Sequence, residues 1–137
     1  MSIFEKIIKG DIPAYKVYED DVVLAFLDIS QTTKGHTLVI PKESYVNIFG
    51  IPEETLAHLI KVTKRLSLII KDVFNATGIN LINNNGITAG QTVFHYHFHI
   101  IPRYEKDDLV IKFANNMDKT SELEYKKRAN LIKAALL

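Results

Sequence analysis

The sequence predicts an α+β fold, with a five-stranded, mainly antiparallel sheet, one long central helix, and short helices near the N- and C-termini. Three observations lead to this class. The predicted elements follow the order strands, helix, strands, helix, and do not alternate as βαβ units would. One segment keeps an apolar period near 3.6 residues for long enough to form a dominant helix. The 137 residues are 47% hydrophobic and 24% charged, which fits one globular domain.

The first half of the chain predicts a short helix and three strands. Ser2 and Glu5 have the spacing of a capping box, and Gly10 is the expected end of the helix that they open. Apolar runs between turn residues then predict strands over 15–19, 22–28 and 36–42.

The second half begins with the long helix, for which we expect Pro52 at the first helical position and Gly78 as the residue that ends it. Its buried stripe is predicted to contain Leu56, Leu59, Val62, Leu66, Ile69, Ile70 and Val73. Two strands follow over 79–83 and 93–103, joined by a loop that contains glycines. A second capping box, Ser121 with Glu124, predicts a C-terminal helix to about Ala135.

Composition restricts the kinds of partner. The chain has 17 Lys and Arg against 16 Asp and Glu, so charge gives no reason to expect nucleic acid or an anionic membrane as partner. No apolar run reaches about 18 residues. The N-terminus has charges where a signal peptide would be apolar, which predicts a cytoplasmic protein. The absence of cysteine excludes disulfides and thiolate metal sites.

The five histidines are unevenly distributed, because His95, His97 and His99 alternate within one predicted strand. Side chains on a strand alternate between its faces. The three imidazoles should therefore share one face, while the other face packs beneath the long helix through Tyr96, Phe98 and Ile100. His58 lies off the apolar stripe and is predicted to be solvated.

Three interpretations of the histidine strand remain open from the residues alone. It could be a polar face without further role. It could be a metal site with His36 as a third ligand, although no carboxylate is expected nearby on the same face. It could supply a nucleophilic imidazole, with loop 84–92 presenting N–H groups to a phosphate, although this loop could also be an ordinary hairpin connection.

Several blocks in order resemble the histidine triad (HIT) family, close to its bacterial Hint-like branch. The segment His95-x-His97-x-His99-Ile100-Ile101 matches the family pattern, in which apolar residues follow each histidine. Further matching blocks are 25–30, 35–42 and 90–93, and the resemblance spans about residues 2–105. It implies a single HIT-like domain over 1–137, with about 106–137 as a C-terminal extension that contains the last helix.

The resemblance implies a nucleotide-binding hydrolase or transferase. Such an enzyme cleaves the bond to the α-phosphate of purine nucleoside 5′-phosphoryl compounds, which could be phosphoramidates, aminoacyl-adenylates or dinucleoside polyphosphates. The cleavage would pass through a nucleotidyl-histidine intermediate on His97. The alternatives are a nucleotide-binding interaction module with little activity, or a His-ligated metallohydrolase.

The resemblance also assigns roles to the site residues. His97 would be the nucleophile, the main-chain carbonyl of His95 would fix its tautomer, and His99 and His36 would contact the phosphate or leaving group. Asp28 would accept from the ribose hydroxyls, or it could simply cap a loop. The phosphate side would be lined by Asn84, Gly90, Gln91 and Thr92, and the purine slot by Phe4, Ile7, Phe26 and Ile29.

The family further implies a homodimer in which two five-stranded sheets join, with a purine nucleotide as the small-molecule partner. No cofactor and no catalytic metal are expected. Many bacterial relatives carry Cys-x-x-Cys near the N-terminus as part of a structural zinc site, and this chain has Ser2 and Glu5 at those positions. The zinc site is therefore expected to be absent, with the capping box stabilising the same helix by ~1 kcal/mol.

Overall fold

The computed structural model describes residues 1–136, and its elements agree in number and order with the prediction. The three α-helices are α1 (Ile3–Lys9), α2 (Glu53–Phe74) and α3 (Glu122–Ala135). The five strands are β1 (Lys16–Glu19), β2 (Val23–Leu27), β3 (Thr37–Pro41), β4 (Gly78–Ile82) and β5 (Phe98–Arg103). Each predicted strand except β5 is within one residue of its observed bounds.

The strands form one sheet in the order β1-β2-β3-β5-β4, and every neighbouring pair is antiparallel. The predicted α+β class and mainly antiparallel sheet are thus confirmed. The inner strands β2 and β3 are almost completely buried, whereas β1 and β4 form the two edges. The continuous apolar run of β2 is explained by this position, because an inner strand covered on both faces has no solvent side.

The two faces of the sheet have separate cores. Alternate residues of β2 and β3, such as Val23 and Val39, pack with Leu59 and Leu66 of α2. The intervening residues pack against α1, where Phe4 and Ile7 are buried with Leu24 and Leu38. The period-two alternation of the strands therefore assigns each side chain to one core.

The predicted strand over 93–103 is too long, since β5 begins only at Phe98. β3 pairs with Phe98 and the two residues after it, and β4 with His99 onward, so no strand flanks the preceding segment. Its backbone groups bond elsewhere: the amide of Tyr96 donates to Tyr45 O at 2.6 Å, and Asn83 Nδ2 donates to His97 O at 3.0 Å.

The ends of α2 also differ from the prediction. Pro52 is the extended N-cap residue and not the first helical residue. At the other end, Asn75 takes the left-handed conformation at φ 54°, so the helix ends before Gly78, which begins β4. Ile69 and Val73 were expected in the buried stripe but are 49% and 65% exposed, because α2 crosses the sheet with Leu59, Val62, Leu66 and Ile70 facing it.

His58 is partly solvated, with its side chain 43% exposed, but it also has a partner that the sequence did not indicate, because its Nε2 lies 2.7 Å from Asp20 Oδ2. The same carboxylate accepts from Tyr18 Oη and from the amides of Val22 and Val23. Burial raises the pKa of Asp20, but the hydrogen bonds from His58, Tyr18 and the two amides outweigh it and hold the pKa well below its usual range. The pair connects α2 to the turn between β1 and β2.

The C-terminal extension is fixed to the domain at its start. Arg103 forms an ion pair with Asp107 at 2.9 Å and donates to Leu109 O, and Tyr104 Oη donates to Lys34 O. α3 has no buried residue. Across residues 1–136, no helix combines the length and the apolar character that crossing a membrane requires.

Candidate active site

A cavity of about 400 Å³ opens on the α1 side of the sheet. This volume falls within the usual range for a small-molecule site. Two imidazoles and a carboxylate lie in a largely apolar wall, which comprises Phe4, Ile7, Phe26, Asp28, Ile29, Leu38, Thr92, His97 and His99 together with Ile3, residues 12–15, Leu27 and Val93. The cavity therefore offers an apolar slot with a few polar groups at one end.

His97 is held in one tautomer. Its Nδ1 lies 2.7 Å from the carbonyl oxygen of His95, and because a carbonyl can only accept, Nδ1 carries the proton. The other nitrogen, Nε2, keeps its lone pair. The ring of Phe4 meets the imidazole edge-on at 5.1 Å between centroids and fixes its plane. Burial lowers the pKa of His97, which keeps the ring neutral near pH 7.

His95 serves the site through its backbone. Its side chain is completely buried, and Nε2 donates to Pro41 O at 2.7 Å. That bond fixes the residue whose carbonyl orients His97. Although His95 and His97 lie before β5, the alternation of faces is retained, since both rings contact Phe4 while Tyr96 packs in the α2 core.

His36 and His99 form a hydrogen-bonded pair beside His97. His36 Nε2 lies 2.9 Å from His99 Nδ1, and the rings of His97 and His99 are 4.9 Å apart between centroids. Burial, followed by the charges that His97 and His36 would carry, lowers the pKa of His99 to about 4. Burial also lowers the pKa of His36, and the charge of Asp28 offsets part of this effect.

Asp28 follows β2 and points toward this pair. One carboxylate oxygen accepts from Ser30 N at 2.8 Å and from Ser30 Oγ at 2.6 Å, which is the loop-capping arrangement. The other lies 3.7 Å from His36 Nε2, so the expectation that no carboxylate lies near the histidines is wrong. Burial raises the pKa of Asp28, but the bonds from Ser30 outweigh it and lower the pKa.

Loop 84–92 contributes to the cavity through Thr92. Gln91 is buried and holds the loop together: its Oε1 accepts from Gly86 N, and its Nε2 donates to Val46 O and Val93 O. Gly90 takes the left-handed conformation beside Asn84 at the end of a 3₁₀ turn over Ile87–Ala89. Asn84, Gly90 and Gln91 are not among the residues that line the cavity.

The four predicted slot residues all line the cavity. Phe4, Ile7 and Phe26 are buried, so they belong to the core as well as to the wall, whereas Ile29 is 83% exposed at the rim. Sequence reasoning missed two supporting residues. Ser30 could have been found from its Asp-x-Ser spacing, which is typical of a turn. Asn83, whose side chain holds the carbonyl of His97, has no comparable local signal.

The two positions at which the family resemblance would place cysteines hold a hydroxyl and a carboxylate that already bond to each other's backbone. Ser2 Oγ accepts from the amide of Glu5, and Glu5 Oε1 accepts from the amide of Ser2 and from Ser44 Oγ. These groups satisfy one another, and hydroxyl oxygens are poor zinc ligands compared with thiolates.

The fold and the histidine cluster together define a histidine triad protein, and the comparisons agree. The HIT domain model matches residues 9–106, so the chain belongs to the HIT family, which includes nucleotide-binding proteins.

Individual relatives support the family assignment and the fold. "Protein hit" of Bacillus subtilis is 57% identical over 106 residues, which cover 77% of this chain and 73% of the relative. The crystal structure of a HIT family protein from Bacillus anthracis superposes with a TM-score of 0.91 at 47% identity, covering 98% of this chain and 96% of the other. The "Adenylylsulfatase HINT3" of Arabidopsis thaliana is 41% identical over 107 residues, which cover 78% of this chain and 54% of that protein.

Proposed function

We propose that the protein is a nucleotidyl hydrolase or transferase that cleaves the bond to the α-phosphate of purine nucleoside 5′-phosphoryl compounds. The observation that supports it most is the hydrogen bond of 2.7 Å from His97 Nδ1 to the carbonyl of His95, because it leaves Nε2 unprotonated at a nucleotide-sized cavity. The similarity to a relative named as an adenylylsulfatase supports the same reaction class.

In the proposed reaction, the lone pair of His97 Nε2 attacks the α-phosphorus. A P–N bond forms while the bond to the leaving group breaks, and the leaving group, hydrogen-bonded by the His36–His99 pair, departs with its electron pair and takes a proton from water. A second water molecule then attacks the phosphorus and gives up a proton to the solvent, the imidazole leaves with its electron pair, and the nucleoside monophosphate is released. Splitting one displacement into two in this way is the usual advantage of a nucleophilic catalyst.

The apolar slot and Asp28 would position the nucleoside. Phe4 and Phe26 lie on one wall of the cavity and offer flat surfaces for a purine ring. The carboxylate of Asp28 keeps acceptor capacity beyond its bonds to Ser30, which suits ribose hydroxyls. Thr92 would contact the phosphate, and Gln91, Gly90 and Asn84 would shape the loop that presents it.

A rapid-quench experiment tests the intermediate. Wild-type protein mixed with an adenosine phosphoramidate should yield an adenylylated peptide that contains His97. His97→Ala should lower turnover by several orders of magnitude while nucleotide binding persists, and His58→Gln, which lies outside the cavity, should behave as wild type. If His97→Ala releases AMP at the normal rate, the assignment of the nucleophile is wrong. Micromolar nucleotide binding without turnover of any nucleotidyl substrate would favour the interaction module.

We also propose a homodimer. β4 is an edge strand with Leu81 46% exposed, and α2 exposes Leu68, Ile69 and Val73. Pairing two β4 strands would join the two sheets and cover this surface. In light scattering, Leu81→Lys should give a monomer, whereas Val17→Lys on the opposite edge strand should remain dimeric. Equal effects of the two substitutions would place the interface elsewhere.

We propose the cytoplasm as the compartment and a chain without structural zinc. A chain without cysteine suits a reducing compartment, and the mutual hydrogen bonds of Ser2 and Glu5 already occupy the groups that stand at the zinc positions. In elemental analysis, Ser2→Ala and Glu5→Gln should each hold as much zinc as wild type, and a loss of zinc in either variant would show a zinc site at these positions.

A further inference from the structure

Three side chains of the histidine cluster offer metal-ligand atoms to one point. They are His36, His99 and Asp28, and one potential ligand atom from each lies within 4.8 Å of the other two. The set shares His36 with the metal site considered from the sequence, but Asp28 takes the place of a second histidine of the strand. Asp28 follows β2, His36 precedes β3 and His99 lies in β5, so the three side chains come from three neighbouring strands of the sheet.

The separations suit one small cation. Two ligands of the same zinc-sized ion can be at most about 4.2 Å apart, since each metal–ligand bond is about 2.0–2.2 Å long. His36 Nε2 lies 2.9 Å from His99 Nδ1 and 3.7 Å from Asp28 Oδ2, both below that limit, and the ligand atoms of Asp28 and His99 lie within 4.8 Å of each other, so a shift of a few tenths of an ångström would complete the set. The buried backbone around β2 and β3 already holds the three groups together, so little ordering would be needed on binding.

The chemistry of the three ligands selects the class of metal. Two imidazole nitrogens and one carboxylate oxygen form a donor set that favours zinc, cobalt or copper over magnesium or calcium. The negative charge of Asp28 offsets part of the charge of a divalent ion. His99 and Asp28 also line the cavity, so water could complete the coordination from that side. His97 does not belong to this group of ligand atoms, although its Nε2 keeps a lone pair.

We propose that Asp28, His36 and His99 form a binding site for a divalent transition-metal cation, and that occupancy of this site excludes the nucleotide. Exclusion rests on the proposed function, since it assumes that Asp28 and His99 contact the nucleotide. Binding itself does not depend on it. When the ion binds, the proton shared between His36 and His99 moves to the other nitrogen of the ring that carried it, so both facing nitrogens present lone pairs.

Titration with Co²⁺ alone tests the site, using untagged full-length protein without nucleotide. We expect saturable visible absorption from Co²⁺ bound to nitrogen and oxygen ligands, displaced by Zn²⁺. Asp28→Asn and His99→Gln should each weaken binding by more than about tenfold, which is the loss that even removal of an outer partner of a metal ligand can cause. His58→Gln removes the separate His58–Asp20 pair and should bind Co²⁺ as wild type does.

The controls keep the test decisive. Thermal unfolding of each variant shows whether it is folded, and because the two substitutions act on different elements, both would have to misfold to imitate loss of a site. Equal Co²⁺ affinity in all four proteins, or no saturable binding, overturns the proposal. A second arm measures AMP binding with and without Zn²⁺: mutual exclusion supports the proposal, and simultaneous binding overturns it. Neither arm requires turnover, so an inactive protein would still give a clear result.

Discussion

Gly35 is packed so closely that even one added methyl group should be costly. Its φ is +95°, a conformation that residues with a Cβ rarely adopt. A Cβ at this position would lie 2.8 Å and 2.9 Å from two ring carbons of Phe74, and 3.2 Å from Cγ of Pro102. Phe74 ends α2 and Pro102 lies within β5, so both neighbours are held by the fold.

The expected cost of Gly35→Ala has two parts. Left-handed backbone costs a residue with a Cβ about 1–2 kcal/mol, and forcing a methyl group into a packed interior costs about 1–3 kcal/mol. Together the free energy of unfolding should fall by about 2–5 kcal/mol. For a domain of this size that corresponds to a drop in Tm of about 8–20 °C.

Urea unfolding followed by circular dichroism measures this loss, and two other glycines separate its parts. Gly10 also has a positive φ, +82°, in the left-handed region, but no heavy atom within 4 Å of the added Cβ, so Gly10→Ala should show the backbone cost alone. Gly50 has neither a positive φ nor a close neighbour, and its alanine variant should be within about 0.5 kcal/mol of wild type. If Gly35→Ala is no worse than Gly10→Ala, the packing argument is refuted.

Three further predictions concern charge, capping and metal. Asp20→Asn should destabilise the protein by about 1–3 kcal/mol at pH 7. It should also make the free energy of unfolding less dependent on pH in acid, because a carboxylate with a lowered pKa contributes stability above pH ~4 that is lost as the pH falls. Urea midpoints between pH 2 and 7 check this, and parallel profiles for the two proteins would contradict it. Ser2→Ala should lower the free energy of unfolding in urea by ~1 kcal/mol, and Ser121→Ala should lower it less. The reason is that α1 buries Phe4 and Ile7, whereas α3 has no buried residue. Equal losses in the two variants would mean that α3 unfolds together with the rest of the domain. Exhaustive dialysis against EDTA should leave nucleotidyl turnover unchanged or higher, since His97 needs no metal to attack, and loss of activity restored by Zn²⁺ would favour the metallohydrolase.

Local pattern predicted the elements better than their ends. The capping box of Ser2 and Glu5 forms as expected, with both reciprocal hydrogen bonds present. At Ser121 the serine caps the helix, while Glu124 pairs with Arg128 instead. The end of α2 was misplaced because Asn75, and not the glycine three residues on, supplies the left-handed residue. A strand start depends on which neighbours are present, and this explains why β5 is shorter than its apolar alternation suggested.

The site shows a similar division between pattern and packing. Alternation indicated that His95, His97 and His99 share a face, and all three do face α1 or the cavity. It could not show that His95 acts through its carbonyl, or that Asp28 reaches His36, because these contacts join residues distant in the chain. His58 is a further example: it lies off the apolar stripe of α2, yet Asp20, in the turn between β1 and β2, pairs with it.

The sequence by itself determined the order of the elements, the two apolar faces of the inner strands and the membership of the histidines in one cluster. Those features depend on period and on nearby residues, which a single chain displays directly. Only the tertiary structure decided which nitrogen of His97 is free, which acid and imidazoles meet, and which loop residues reach the cavity. Each of these is set by hydrogen bonds across the sheet or between loops, and their distances of 2.7–3.7 Å are fixed only when the whole core has packed.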